Sequence, residues 1–286
     1  MSPVTTVYVH SGVSGLDRGD TPSLSRFAEA GAAAATALDA VELATRALED
    51  EPAFNAGFGS VLNLDGTLEM DAGIASGATG SCGGVANVQV RHPITLARRV
   101  MEETPHVLLA GAGAISLSSD MEQLPDTSPE QRERWERART EGTLGSVSYG
   151  SPEFVDTVGA VALDGDGDLA AASSTGGVFA KLAGRVGDAP IFGAGVFASR
   201  NAAVVGTGVG ELFLETLAAQ RTATLIDRGT HPQEACEEII ASLGERSNAT
   251  AGLLALDASG RVGAAYRGGS WAVGGTGGRF LAIRLP

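Results

Sequence analysis

Two cysteines, Cys82 and Cys236, stand in 286 residues, too few for a disulfide framework. The four histidines, His10, His92, His106 and His231, are scattered at no metal-ligand spacing, so a zinc site is not expected. No Gly-x-Ser-x-Gly elbow occurs, which removes the ordinary serine-hydrolase reading. No apolar run approaches the roughly 20 residues that cross a bilayer. Positive charge is scarce: Lys181 is the only lysine, and a formal net charge of -14 repels nucleic acid and anionic membranes alike. Near-exclusive use of arginine reads as genomic base composition in preference to an acidic surface suited to a salty cytoplasm. Met1-Ser2-Pro3 is followed by no charged-then-apolar leader, so a cytoplasmic location and a small-molecule partner are expected.

What is abundant is apolar surface and glycine. An apolar fraction of 43% suffices for a substantial core, and the 40 glycines concentrate where positive φ or close backbone approach is useful. Residues 4–10 read as a buried strand, and 23–50 as one or two helices with Asp39 a second cap. Residues 84–90 read as a strand, and 94–101 and 107–115 as helices, His106 packing near the start of the latter. From about 116 to 156 polar residues take over in a linker, within which Ser128-Pro129-Glu130 starts a charged helix through Arg139. Beyond it, strands are predicted at 157–163, 169–174, 202–207, 251–256, 261–266 and 280–284. Helices are predicted at 209–228 and 232–243, with His231 at the start of the second. No internal repeat is present, and mixed strands with grouped helices suggest sheets covered on their outer faces, an α+β fold.

Asp164-Gly165-Asp166-Gly167-Asp168 opens like a calcium loop, but Leu169 and Thr175 occupy the positions that need glycine and glutamate, so a hairpin turn explains it. Gly111-Ala112-Gly113 and Gly193-Ala194-Gly195 lack the third glycine of a dinucleotide fingerprint. The segment Asp156-Thr157-Val158-Gly159-Ala160-Val161 is different, placing a threonine at the head of a strand directly after the linker. Cutting the bond before Thr157 would give its hydroxyl a base of its own, an α-amine with a pKa of about 7.7 to 8.0. Downstream, Arg185 and Asp188 sit three apart in a glycine-flanked loop, suited to the carboxylate and ammonium of an amino acid. Thr207-Gly208 precedes a predicted helix and offers a hydroxyl and an N–H to developing negative charge.

Together, Leu48-Glu49-Asp50-Glu51-Pro52-Ala53-Phe54-Asn55-Ala56-Gly57-Phe58-Gly59-Ser60, the Thr157 segment, Ser173-Ser174-Thr175-Gly176-Gly177, Lys181-Leu182-Ala183-Gly184-Arg185-Val186-Gly187-Asp188-Ala189-Pro190 and Gly206-Thr207-Gly208-Val209-Gly210-Glu211 resemble the plant-type asparaginase and isoaspartyl peptidase family of N-terminal-nucleophile hydrolases, from about Val7 to about Asp257. The resemblance implies an αββα sandwich formed as a single domain over 1–286. It implies self-cleavage between Asp156 and Thr157 into an α part (1–156) and a β part (157–286). Thr157 would be the nucleophile, Thr175 a contact of its oxygen, Thr207 and Gly208 the oxyanion donors, Asn55 a neighbour, and Arg185 and Asp188 the substrate clamp. The substrate would be L-asparagine or a β-aspartyl peptide, handled by a dimer of processed units without a required cofactor. Backbone carbonyls of Leu48, Glu49, Phe54, Ala56 and Phe58 would hold a structural sodium ion.

Departures keep alternatives open. Ser11 follows His10 where the family shows glycine, Ser173 stands where it usually has threonine, and residues 266–271 differ from its usual sequence. Asp156 before the nucleophile is more like glycosylasparaginases, although Val155 stands where those carry histidine. A glycosylasparaginase-like amidase and an unprocessed amino-acid-binding protein are therefore the other readings.

Overall fold

The computed structural model of the protein describes residues 5–13, 23–144, 157–276, 278–280 and 282–286. Strand β1 (Thr6–His10) leads to helices α1 (Ser25–Ala32) and α2 (Ala37–Glu49), a 3-10 turn at Gly57–Gly59, and strands β2 (Met70–Ser76) and β3 (Cys82–Val88). Helix α3 (Pro93–Glu103), strand β4 (Leu108–Ala110), and helices α4 (Ala112–Leu117) and α5 (Pro129–Thr140) follow. After Thr157 come β5 (Val158–Leu163), β6 (Leu169–Thr175), β7 (Val196–Ala198) and β8 (Ala202–Gly208), then α6 (Gly210–Thr216), α7 (Ala218–Asp227) and α8 (Pro232–Arg246). Strands β9 (Ala251–Asp257), β10 (Val262–Arg267), β11 (Val273–Gly275), β12 (Gly278–Phe280) and β13 (Ile283–Arg284) close the chain.

An eight-stranded sheet in the order β12-β11-β1-β5-β6-β2-β3-β4 faces a five-stranded sheet in the order β13-β10-β9-β8-β7. Contacts of β5 and β6 with β8 join the sheets, while α1 to α3 cover the first sheet and α7 and α8 the second. This is the α+β sandwich the resemblance implied, layered αββα. Because strand side chains alternate faces, residues sort into three apolar layers. Val7, Val9, Val158, Ala160 and Ala172 pack under the helices of the first sheet, and Ala202, Val204 and Leu253 under those of the second. Val161, Leu169, Ala171, Val205 and Leu254 fill the space between the sheets. The same alternation decides the site. Thr157 and Gly159 share a face with Val161, Ser173 and Thr175 with Ala171, and Thr207 with Val205, so all five positions face the space between the sheets.

The first sheet takes strands from both sides of Thr157: β5 pairs with β1 on one edge and, through β6, joins β2 on the other. A chain cut before Thr157 would therefore stay assembled through its own hydrogen-bond ladders. No helix among the described residues is long and apolar enough to cross a membrane.

Several expectations need correction. Residues 107–115 are not one helix: Gly111 adopts φ 55° and separates β4 from α4, so His106 precedes a strand and lies exposed. The second cap is Thr36, whose hydroxyl accepts from Asp39 N at 3.1 Å. The helix expected over 209–228 breaks at Leu217, which adopts the left-handed conformation (φ 50°) between α6 and α7. The strand expected at 280–284 is two short ones, and β2, β7 and β11 were not expected. Ser128 does cap α5, accepting from Gln131 N, and His231 caps α8, its Nδ1 accepting from Gln233 N at 3.1 Å. Asp156 and Val155 lie outside the described residues, as does the stretch 145–156 to which they belong.

Candidate active site

Thr157 stands one residue before β5 and, by extension of the β5–β6 register, opposite Thr175 at the end of β6. Its hydroxyl lies 3.2 Å from that of Thr175, both residues being buried. Thr175 Oγ1 also accepts from Gly177 N at 3.0 Å, which leaves its own proton for Thr157 or a ligand. The turn after Thr175 is clamped by Asn55. Asn55 Nδ2 donates to the Gly177 carbonyl at 2.7 Å, its Oδ1 accepts from Val61 N at 2.9 Å, and its own carbonyl accepts from Gly176 N at 3.0 Å. Asn55 thus positions Thr175 through the backbone of Gly176-Gly177. On the opposite face of the same strand, Ser174 Oγ donates to the fully buried Glu49 carboxylate at 2.6 Å, which also accepts from Ile94 N at 3.0 Å. Burial holds Glu49 above the usual carboxylate range, against the pull of His92 and Ser174.

His10 pairs in register with Gly159, and its ring lies over that glycine: a methyl there would come within 2.5 Å of His10 Nε2. Burial pushes the imidazole down to about 3, against a smaller opposing pull from the Thr157 backbone. His10 is therefore neutral at physiological pH and cannot be a charged acid beside Thr157. Its Nδ1 accepts from Gly12 N at 3.2 Å, and its ring packs against Trp271 with centroids 5.6 Å apart. Among the described residues, Ser173 Oγ and Trp271 Nε1 are buried polar atoms with no hydrogen-bond partner. Across the sandwich, Thr207 Oγ1 accepts from Val13 N at 3.2 Å, tying the chain after β1 to β8. Gly208 adopts φ 136°, a backbone state that favours glycine, and a side chain there would strike the Thr250 carbonyl.

Arg185 and Asp188 lie together in a buried charged cluster. Arg185 donates through Nε and Nη2 to both oxygens of Glu211, at 3.0 and 2.9 Å. Burial alone would lower its pKa, but the Glu211 hydrogen bonds and charge raise it. One edge of the guanidinium fork is thus taken. The remaining edge is flanked by two glycines, a methyl on Gly187 coming within 2.7 Å of Nη1 and one on Gly210 within 3.0 Å of Nη2. A methyl on Gly210 would also lie 2.7 Å from Asp188 Oδ1. Both glycines thus pack their backbone directly against the charged groups, and a side chain at either position would displace them. Asp188 is fully buried, its Oδ2 has no protein partner, and desolvation pushes its carboxyl up to about 7, the Arg185 charge opposing. An ammonium brought to Asp188 would supply the missing partner.

The loop read as a sodium site divides. The Leu48 carbonyl already accepts from Asp50 and Glu51, and that of Phe58 from Ser128 N at 2.8 Å and Thr127 Oγ1 at 3.2 Å. Phe54 and Ala56 carbonyls each accept one backbone N–H, at 2.9 and 3.2 Å, keeping a second lone pair for a hard cation. The Glu49 carbonyl presses on Gly57, where a side chain would collide with it. The carbonyls of Glu49, Phe54 and Ala56 fit an oxygen-seeking ion, while those of Leu48 and Phe58 are already used. Among the described residues no group of three or more His, Cys, Asp or Glu could hold a metal ion.

Sequence reasoning missed Glu69 and Asp71, and gave Lys181, Gly210 and Glu211 no role although they stand in the motif segments. Asp71 carried a signal, a lone acid inside the otherwise apolar Met70–Ser76 run. Glu211 lies in the Gly206-Thr207-Gly208-Val209-Gly210-Glu211 string, but its pairing with Arg185 spans 26 residues and has no local signature.

The profile of a family described as asparaginase matches residues 20–275. The plant-type L-asparaginase of Pyrococcus horikoshii is 43% identical over 244 residues, covering 80% of this chain and 79% of that protein. The isoaspartyl peptidase of Salmonella typhimurium is 43% identical over 256 residues, 84% and 82% of the two chains. A protein named isoaspartyl peptidase/L-asparaginase from Rattus norvegicus is 42% identical over 234 residues, 80% and 70% of the two.

Proposed function

Because the chain belongs to the asparaginase family, we propose that it hydrolyses the side-chain amide of L-asparagine and of β-aspartyl peptides, releasing L-aspartate, with Thr157 as nucleophile. The observation that carries the reading is the Thr157–Thr175 hydroxyl pair, 3.2 Å apart in the space between the sheets that Thr207 also faces.

In maturation, Thr157 Oγ attacks the Asp156 carbonyl, the acyl group moves from nitrogen to oxygen, and water hydrolyses the ester. This leaves the Asp156 carboxylate and the Thr157 α-amine. That amine then takes the hydroxyl proton as Oγ attacks the substrate's side-chain carbonyl, and it returns the proton to the departing amine. Thr207 and the Gly208 N–H stabilise the oxyanion. A second water cleaves the acyl-enzyme, freeing aspartate and regenerating the hydroxyl. Arg185 holds the α-carboxylate and Asp188 the α-ammonium, fixing the reacting carbonyl over Thr157. The carbonyls of Glu49, Phe54 and Ala56 would hold a structural sodium ion, which would stiffen the loop carrying Asn55. A dimer of processed units and a cytoplasmic location belong to the same reading, the latter supported by two unpaired cysteines.

The test compares L-asparagine, a β-aspartyl dipeptide and N4-glycosylated asparagine, each free, N-acetylated and carboxyl-amidated. The first two should turn over in the free form and suffer when either end is blocked. Efficient cleavage of both blocked forms would remove Arg185 and Asp188 from their roles, and preference for the glycosylated substrate would favour the glycosylasparaginase reading.

The pH profile should carry two steps. Asp188 must be ionised to take the ammonium, and it loses charge as pH falls through about 7. The Thr157 amine must be unprotonated, and an ordinary α-amine gains its proton below roughly 8. The slope of log kcat/KM for L-asparagine should therefore approach 2 on the acid side, and the profile should turn down on the alkaline side as the substrate's own α-ammonium loses the proton that Asp188 binds. A slope of 1 throughout would show that Asp188 does not titrate in the free enzyme.

A further inference from the structure

The chain's only lysine is buried. Lys181 is 3% exposed, although lysine side chains are almost never fully buried unless paired. Its Nζ donates to the Glu69 carbonyl at 2.8 Å and lies 3.9 Å from Asp71 Oδ2, whose side chain is wholly buried. Asp71 pairs in register with Thr175 across β2 and β6, so it occupies the same row as the Thr157–Thr175 hydroxyl pair. Asp71 Oδ1 accepts from Asn87 N at 2.9 Å, and Oδ2 accepts a long hydrogen bond from Gly187 N at 3.5 Å. Two residues earlier, the Glu69 carboxylate accepts from Gly184 N at 3.2 and 3.1 Å. Acids on either side of Met70 therefore grip both ends of the stretch that carries Arg185. The stem and head of Lys181 also pack against Gly177, where an added methyl would lie 2.8 Å from Nζ and 2.9 Å from Cδ. Gly177 in turn donates to Thr175 Oγ1.

We propose that Lys181 and Asp71 form a positioning pair that joins the nucleophile row to the substrate clamp, Lys181 neutralising Asp71 so that Arg185 stays free for the substrate's α-carboxylate. The proposal rests on the assignment of Thr157 and Arg185 given above. Arg185 and Asp71 feel each other's charge. Burial raises the Asp71 pKa and the Lys181 and Arg185 charges oppose it, so without the lysine Asp71 could stay charged only by drawing on Arg185, an effect on binding more than on chemistry. If the pair only fills space, removing both charges and removing one should be felt alike on folding, kcat and KM. If it balances charge, single removal should be the more harmful.

The test is Lys181→Met, which keeps the length of the stem, beside the double variant Asp71→Asn with Lys181→Met. Lys181→Met should raise KM for L-asparagine about tenfold or more, with kcat within about threefold of wild type. The double variant should return KM to within about threefold, since the single amide oxygen introduced by Asp71→Asn can keep the 2.9 Å bond from Asn87 N and gives up only the long one from Gly187 N. Affinity for L-aspartate, read by calorimetry, should follow the same order. An unchanged KM in Lys181→Met, a loss shared equally by kcat and KM, or a double variant no better than the single would overturn the proposal. If Lys181→Met does not fold, the double variant decides: near-wild-type KM supports the pair, and a second failure to fold overturns it. A wild type that binds L-aspartate in the predicted order but hydrolyses nothing would instead sink the assignment of Thr157 and leave the pair standing.

Discussion

Thr157→Ala should yield an uncut chain of 286 residues whose turnover of L-asparagine is lower by about 10⁴-fold or more, since the nucleophile and, in the mature protein, its attached base are lost together. The fold should survive. Thr157 gives the structure one hydroxyl contact, to Thr175, and such a bond contributes only about 1 kcal/mol net. Matched circular dichroism with lost activity would separate chemistry from stability. Thr157→Ser keeps a hydroxyl and should mature slowly, because the missing methyl frees its rotamer. Asparagine turnover near wild type in the alanine variant would end the nucleophile assignment.

Gly210→Ala should raise KM for L-asparagine about a hundredfold, through loss of charge-assisted hydrogen bonds worth roughly 1.5 to 3 kcal/mol each. The added methyl would sit 2.7 Å from Asp188 Oδ1 and 3.0 Å from Arg185 Nη2, too close for the two charged groups to keep their places. Two effects oppose each other. Gly210 is the first residue of α6 and has no positive φ, so alanine suits its backbone and favours helix by up to about 1 kcal/mol. Thermal stability should thus change little while binding collapses. Steady-state kinetics beside a melting curve would check this, and an unaltered KM would move substrate recognition away from the Arg185–Asp188 cluster.

Much of this site was legible because its parts lie in short segments with chemical meaning. Thr157 heads a β-branched run, Thr175 ends a serine-rich strand, and Arg185 and Asp188 share a glycine-flanked loop. Alternation in the strands, with Ala170 and Ala172 outward and Ala171 and Ser173 inward, places the hydroxyls between the sheets. What local reading misses is pairing at long range. Asp71 meets Lys181 across 110 residues of chain and Thr175 across a strand ladder, and neither relation has a sequence period. β2 escaped because it is buried on both faces and made largely of alanine and glycine, without the alternation that marks a half-buried strand. The break at Leu217 escaped because leucine rarely adopts the left-handed conformation there, so no glycine announced it. Gly111 did lie in view between β4 and α4, yet the apolar residues around it read as one helix.

The central claim, that this chain's catalyst comes into being when the bond before Thr157 is cut, is tested most directly by a denaturing mass spectrum of freshly purified protein followed over time with L-asparagine hydrolysis. Two fragments, 1–156 and 157–286, should accumulate, and activity should rise in proportion to them. An intact 286-residue chain with full activity, or a C-terminal fragment that begins at any residue other than Thr157, would contradict it.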